Sequence, residues 1–198
     1  MPAAFDTTLP KLLLEQAAAQ GKRTALREKE WGVWQPYSWN GYLRRTAEFA
    51  GGLKALGFGK GDIVILIGDN RPEWLWAELA IQSLGGIALG LYQDATPDEV
   101  GYIFELARAR MVVAEDQEQV DKILTLRPNL PDLKYVVYHD AKGLKAYAEE
   151  GLHDFEAVRE MGRDTAGDFA AWVEELSPDD PCRSEERRVG IECRSRWS

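Results

Sequence analysis

Apolar and polar residues alternate between two patterns along the middle of the chain. Short, nearly continuous apolar runs begin 24 residues apart, at Ile63, Ile87, Met111 and Tyr135. The first of them, Ile63–Ile67, is β-branched at most positions, as expected of a strand that is buried on both faces. Longer segments with helical spacing separate the runs. The alternation predicts an α/β fold, with a doubly wound parallel sheet that is flanked by helices.

Helix start signals follow the first three runs. Asn70 and Glu73 predict one capping box, and Thr96 and Glu99 predict a second. Asp116 is a candidate N-cap for a third helix. Each strand, helix and following strand then forms one crossover, which is right-handed by the general rule for parallel strands.

The ends of the chain show weaker patterns. A helix is predicted over residues 8–20, followed by a hairpin over 24–37 with Trp31-Gly32 at its turn. Ser38 caps a long helix with a wide apolar stripe. Residues 141–176 predict only short amphipathic helices.

Composition narrows the class of protein. The chain has 198 residues, 45% of them apolar and 29% charged, which is ordinary for a soluble globular protein of one large or two small domains. The net charge of −9 argues against nucleic acid or anionic lipid as a partner through broad electrostatics. No stretch reaches the roughly 20 apolar residues of a membrane span, and the first ten residues do not resemble a signal peptide. A cytoplasmic location is therefore predicted.

Candidate chemical groups are few. His139 and His153 lack ligand spacing, and Cys182 and Cys193 form neither a metal motif nor a disulfide framework. The glycine-rich turn at 57–61 ends a helix and leads into a strand, whereas nucleotide-binding loops do the reverse.

Two further groups leave alternatives open. Asp69 and Asp94 follow strands, where α/β sheets place ligands, but a lone acid in a loop is more often a cap or turn residue. Five tryptophans could form a stacking platform, yet their helix and hairpin spacing favours the core. They are Trp31, Trp34, Trp39, Trp74 and Trp76. From the residues alone, no catalytic, cofactor-binding or metal-binding residue is assigned.

An ordered set of short motifs resembles the start of the adenylate-forming acyl-CoA synthetases, most closely their long-chain fatty-acid–CoA ligases. The resemblance covers residues 5–182. Its motifs are Tyr37-Ser38-Trp39, Gly61–Leu66, Asn70–Trp74, Gly85–Ala88, Leu91-Tyr92, Pro97–Ile103, Asp116–Lys122 and Leu130–Lys134.

The resemblance implies an ATP-dependent ligase with fatty acid, ATP and coenzyme A as its partners and Mg²⁺ as a cofactor. In that family the acid and Mg-ATP give an acyl-adenylate and pyrophosphate, and the thiol of coenzyme A then displaces AMP. Catalysis rests on charge stabilisation by a Gly/Ser/Thr phosphate loop, a lysine and the metal. For the full-length form, the resemblance implies peripheral association with a membrane.

The sequence departs from the family after residue 182. Residues 177–182 resemble the segment before the family's phosphate loop, but RSEERR stands in the place of that loop. The tail, with five Arg and three Glu, resembles translated sequencing-adaptor DNA. We therefore expect an incomplete AMP-binding N-terminal domain over 1–182 and a non-native, disordered tail over 183–198.

Three functional interpretations follow. The first is a fragment of a long-chain fatty-acid–CoA ligase that is inactive by itself and carries no family site residue. The second is a stand-alone, non-catalytic α/β module that binds a partner or regulates a full-length ligase, and the third is one half of a split ligase. An incomplete sheet also predicts self-association through exposed apolar surface.

Overall fold

The structure is a computed structural model in which residues 7–185 are described. Its helices are α1 (Leu9–Gln20), α2 (Trp39–Ala55), α3 (Pro72–Ser83), α4 (Pro97–Ala107), α5 (Gln117–Leu126), α6 (Phe155–Met161) and α7 (Phe169–Glu174). Its strands are β1 (Thr24–Glu30), β2 (Val33–Ser38), β3 (Ile63–Ile67), β4 (Ile87–Leu91), β5 (Met111–Ala114), β6 (Tyr135–Tyr138), β7 (Leu152–Asp154) and β8 (Arg183–Glu185). Among residues 7–185, no helix combines the length and the apolar character that crossing a membrane requires.

The main sheet has six parallel strands in the order β7-β6-β5-β3-β4-β8. From β3 the chain passes to β4 on one side and then crosses to β5 on the other side, where Val64 pairs with Met111. This reversal makes the sheet doubly wound, as predicted. The four predicted strands begin at the residues that the apolar runs indicated. A separate antiparallel hairpin of β1 and β2 confirms the predicted hairpin.

Helices cover both faces of the sheet, and the side chains of β3 alternate between two cores. Val64 and Leu66 join a core with residues of α1, α2, α3, α6 and α7. Ile65 and Ile67 join a second core with α4 and α5. Burial on both faces explains why β3 is a continuous apolar run rather than an alternating one.

The backbones of α2 and α6 approach each other unusually closely. A Cβ atom added at Gly52 would lie 2.0 Å from the backbone oxygen of Val158, and one at Gly51 would lie 2.6 Å from that of Gly162. Only glycine leaves room for this contact. Beside it, Arg159 of α6 forms an ion pair with Glu48 of α2, and both side chains are largely buried.

Helix α3 begins differently from the prediction. Its N-cap is Arg71, without a side-chain capping bond, so the predicted box of Asn70 and Glu73 is wrong. The reason is Pro72, which forces the residue before it into an extended conformation and so fixes Arg71 as the last residue outside the helix. The other predicted caps are present, with the reciprocal box of Thr96 and Glu99 at α4 and the carboxylate of Asp116 at α5.

Two short edge strands were not predicted. β7 pairs with β6, and β8 pairs with β4, with Arg183 opposite Ala88. Residues 183–185, which the sequence assigned to the tail, form this second edge strand. β8 is held by backbone hydrogen bonds to the exposed edge of β4. Such bonds need no periodic pattern of apolar side chains, so the sequence carried no signal for this strand. The rest of the predicted tail lies outside the described residues, and its non-native origin stays a prediction.

Candidate functional site

The loops that follow the parallel strands meet at one edge of the sheet, which we call the carboxyl edge. These loops begin at Gly68 after β3, Tyr92 after β4, Glu115 after β5 and His139 after β6. Open α/β sheets bind ligands in crevices at this edge, above all where neighbouring strands connect in opposite directions. In this sheet that switch point lies between β3 and β5.

The side chain of Glu115 fills the switch point. Its carboxylate accepts hydrogen bonds from the backbone N–H of Asp69 and from Nε of Arg71, the latter at 3.2 Å. A Cβ atom at Gly68 would lie 2.6 Å from Cβ of Glu115, so only glycine allows this carboxylate to enter. The remaining cavity is about 10 Å³. The crevice that usually receives a ligand is therefore occupied by the protein itself.

Arg71 connects the switch point to the hairpin. Its guanidinium lies 3.0 Å from Oε1 of Glu28 in β1 and also binds Glu115. The hydrogen bonds that Arg71 donates to Glu28 and Glu115 raise the pKa of Arg71, so its guanidinium stays protonated and positively charged. It fixes the β3–α3 loop against the hairpin.

His139 lies against the same crevice, after β6. Burial lowers the pKa of its imidazole, and this effect outweighs the opposing influence of Glu115. The ring is therefore neutral near pH 7. Its backbone N–H donates to the carbonyl of Ala114, 3.3 Å away.

An open cleft of about 490 Å³ lies beside the switch point, between the β3–α3 loop and the end of β4. Asp69 and Asp94, the two acids singled out in the sequence, both line it. Oδ1 of Asp69 accepts a hydrogen bond from Nε2 of Gln93 at 3.0 Å. The ring of Trp74 lies directly against Gly90, where a Cβ atom would come within 3.2 Å of it. The cleft thus combines polar walls with an aromatic surface.

Arg183 provides the positive charge of this cleft. It begins β8, and its guanidinium lies 3.3 Å from a carboxylate oxygen of Glu78 in α3. The Glu78 side chain is 10% exposed, whereas that of Arg183 is 49% exposed. Residue 183, assigned by sequence to the tail, therefore belongs to the wall of the cleft.

The charges in the cleft do not suit a triphosphate. Its walls carry two carboxylates, and its guanidinium is paired with Glu78. Phosphate sites require several N–H donors or cations. Among residues 7–185, no group of three or more His, Cys, Asp or Glu could hold a metal ion.

The other candidate residues lie elsewhere. Cys182 precedes β8 and so lies at the opposite edge, exposed beside a separate, mainly apolar cleft of about 320 Å³. His153 lies in β7, where its ring centroid is 5.7 Å from that of Tyr135. Cys193 is outside the described residues.

The turn at 57–61 binds a side-chain carboxylate of the protein itself. The N–H of Gly59 donates to the carboxylate of Asp62 at 2.9 Å, and Arg110 contacts the same carboxylate. This agrees with the interpretation of the turn as structural rather than phosphate-binding.

The tryptophans divide into two groups. Trp76 is buried, and Trp39 and Trp74 are partly buried against the core. Trp31 and Trp34 are 96% and 61% exposed, so the prediction that they belong to the core is wrong. They lie at the tip and on the outer face of the hairpin, which packs on the protein through its other face only.

Sequence reasoning missed the ionic bridge at the switch point. Glycine directly after a buried strand, as at Gly68, is a signal that a side chain can approach there. The partners of Arg71 lie 43 and 44 residues away in sequence, and no local pattern connects them.

The family comparison matches most of the chain. The family model described as "AMP-binding enzyme" matches residues 13–183. Its last matched residue is the first residue of β8.

Curated relatives are long-chain-fatty-acid–CoA ligases. ACSBG1 of Rattus norvegicus is 30% identical over 164 residues, which are 81% of this chain and 22% of that protein. ACSBG2 of Xenopus laevis is 28% identical over 158 residues, or 79% of this chain and 21% of that protein. This chain thus spans about a fifth of the length of these relatives.

Solved structures show the same fold. The anthranilate CoA ligase AuaEII in complex with anthranoyl-AMP superposes with a TM-score of 0.68 at 24% identity, over 81% of this chain and 29% of that one. Acetoacetyl-CoA synthetase from Streptomyces lividans gives a TM-score of 0.68 at 25% identity, over 76% and 24%. With the family match over residues 13–183, the parallel sheet and its helices place this chain in the AMP-binding enzyme family.

Proposed function

We propose that this chain forms the N-terminal part of an ATP-dependent long-chain fatty-acid–CoA ligase. The observation that carries the proposal is the match of about four fifths of the chain to long-chain-fatty-acid–CoA ligases. The reaction would convert fatty acid, ATP and coenzyme A into acyl-CoA, AMP and pyrophosphate. Because the chain spans about a fifth of those relatives, the activity belongs to a longer assembly.

The proposed reaction has two steps. The fatty-acid carboxylate attacks the α-phosphorus of ATP, and pyrophosphate leaves. The thiolate of coenzyme A then attacks the acyl carbon, and AMP leaves. Both steps develop negative charge on phosphate or carbonyl oxygens, which donors and cations stabilise.

We assign residues 7–185 a supporting role in this reaction. The Glu115-filled switch point holds the β3–α3 loop rigid, and the cleft beside β4 stays open next to β8. Since the cleft does not suit a triphosphate, we assign phosphate and metal binding to sequence outside this part. The chain then contributes one rigid wall of the active site.

We also propose that the 198-residue chain does not catalyse the reaction by itself. The acidic cleft and the RSEERR segment in place of the family's phosphate loop support this. The named relatives are ligases, and none of them favours a stand-alone binding module. A split ligase would need the phosphate- and metal-binding sequence to be supplied by a second chain.

A chimera tests the proposal. Residues 13–182 replace the matching segment of the rat relative, and fatty-acid-dependent pyrophosphate release is measured with Mg-ATP. We expect release from the chimera and none from the 198-residue chain. Gly90→Val, which pushes a side chain against Trp74 in the cleft, should lower the rate at least about tenfold.

The control is Gly101→Ala in α4, where an added Cβ meets its nearest atom at 3.7 Å. This variant should leave pyrophosphate release unchanged. A folded chimera that releases no pyrophosphate with any fatty acid contradicts the ligase function. Release from the 198-residue chain alone contradicts its supporting role.

A further inference from the structure

The carboxylate of Glu115 is held as a bound anion would be held. It accepts hydrogen bonds from the backbone N–H of Asp69 and from Nε of Arg71. A backbone amide beside a guanidinium is a suitable pair of donors for a carboxylate. Both donors lie at the switch point, where open α/β sheets bind their ligands. The side chain of Glu115 thus occupies the position of a ligand.

The two donors are held in place by other contacts as well. The guanidinium of Arg71 lies 3.0 Å from Oε1 of Glu28. The carbonyl of Asp69 accepts the N–H of Arg71 at 2.7 Å, and the Asp69 side chain accepts a hydrogen bond from Gln93. The pair of donors should therefore keep its arrangement when the carboxylate of Glu115 is absent.

The backbone of Glu115 is fixed independently of its side chain. Its N–H donates to the carbonyl of Ile67 at 3.0 Å, and its carbonyl accepts the N–H of Asp140 at 2.8 Å. Shortening the side chain should therefore leave a cavity rather than a collapsed loop. The side chain of Arg71 is 44% exposed, so an ion from solution can reach its guanidinium.

We propose that the switch point is a carboxylate-binding site and that Glu115 occupies it as an internal ligand, which closes it to anions from solution. The site takes a small carboxylate, because only about 10 Å³ remains beyond the Glu115 side chain. Both donors and the occupant belong to residues 67–115, so the site does not depend on what the rest of a longer protein covers. The proposal does not depend on ligase activity.

Glu115→Ala in the 198-residue chain tests the proposal. The substitution removes Cγ and the carboxyl group, which together have the size and charge of acetate. Sodium acetate is added at pH 7 and constant ionic strength, and NMR follows the amide of Asp69 and the Nε–H of Arg71. Both signals should shift, with a dissociation constant of about 10 mM, which is within reach of so small a ligand.

Glu115→Gln is the matched control. It removes the same charge, but its amide keeps the crevice filled and competes with acetate at high effective concentration. Acetate should therefore bind to Glu115→Gln and to the unmodified chain at least about tenfold more weakly than to Glu115→Ala. Butyrate is the control ligand. Its affinity for Glu115→Ala should be at least about tenfold below that of acetate, because its longer chain would clash with the backbone at position 115.

Urea denaturation provides a second measurement if Glu115→Ala is too unstable for NMR. A ligand that binds only the folded chain raises the midpoint of unfolding. Acetate should raise the midpoint of Glu115→Ala above its value in sodium chloride of the same concentration. The midpoints of Glu115→Gln and of the unmodified chain should be the same in the two salts.

Three results would overturn the proposal. The first is a Glu115→Ala variant whose NMR signals and urea midpoint do not respond to acetate. The second is equal acetate binding by Glu115→Gln, which would show that the lost charge, rather than an open site, attracts the anion. The third is acetate binding to the unmodified chain at Asp69 and Arg71, which would show that Glu115 does not close the site.

Discussion

The two faces of the parallel sheet are covered by helices in different ways. On one face, the backbones of α2 and α6 touch at Gly52, and a buried ion pair joins Glu48 and Arg159. On the other face, α4 and α5 pack through ordinary apolar side chains, and each begins with a side-chain cap, Thr96 or Asp116. The packing of the first face depends on the distance between two backbones. The stability of the second face is the sum of many small side-chain contributions.

This difference has a general consequence for substitutions. Where two backbones touch, one added methyl group has no space, and the helices must separate. Where side chains fill the interface, a substitution removes only what that one side chain contributes to the free energy of unfolding. The same chemical change should therefore have opposite effects on the two faces.

Gly52→Ala should have the largest effect. The added Cβ would lie 2.0 Å from the backbone oxygen of Val158, which cannot rotate away. We expect a loss of at least about 3 kcal/mol in the free energy of unfolding, measured by urea denaturation. A loss under about 1 kcal/mol would show that α6 moves easily and would remove the contrast.

Arg159→Met should be nearly as damaging. The side chains of Arg159 and Glu48 are 11% and 7% exposed, so the variant leaves a buried carboxylate without its partner. We expect a loss of about 3 kcal/mol by urea denaturation. Adding Glu48→Leu should restore much of it, because the unpaired charge is then removed. If the double variant is less stable than Arg159→Met, the packing around the pair matters more than its charge.

Thr96→Ala should have a smaller effect on the other face. It removes the side chain that accepts a hydrogen bond from the N–H of Glu99 at the start of α4. We expect a loss of about 1 kcal/mol in the same assay. Thr96→Ser keeps the hydroxyl and is the control, with stability close to that of the unmodified chain.

Gly101→Ala should have the smallest effect, and it should be stabilising. Its added Cβ meets its nearest atom at an ordinary 3.7 Å, and alanine is the better helix former. We expect a gain of about 0.5–1 kcal/mol by urea denaturation. A loss of stability would show that α4 is packed as tightly as α2.

The elements predicted from the sequence are those whose signals are local. The strand starts, the hairpin and the caps at Ser38, Thr96 and Asp116 follow from neighbouring residues, and the structure confirms them. The pairing of β8 with β4 joins residues far apart in sequence. Such pairing depends on which edge is open, and a single sequence does not contain that information.

The sequence predicted that Asp69 and Asp94 follow strands at the ligand-binding edge of the sheet, but it assigned neither residue to a functional site. Asp69 and Asp94 lie at the expected edge, and the structure brings them into one cleft. The Glu28–Arg71–Glu115 bridge depends on three elements meeting in space. The exposure of Trp34 was missed because hairpin spacing gives the strand face but not which face the protein covers.

The spacing of the strands bears on how the sheet assembles during synthesis. Successive strands from β3 to β6 begin only 24 residues apart, so the central pairs close short loops while the chain leaves the ribosome. β8 begins 92 residues after the last residue of its partner β4, at Leu91. Until β8 has been made, one edge of β4 has no strand beside it. A chaperone that binds extended chain would find its target there.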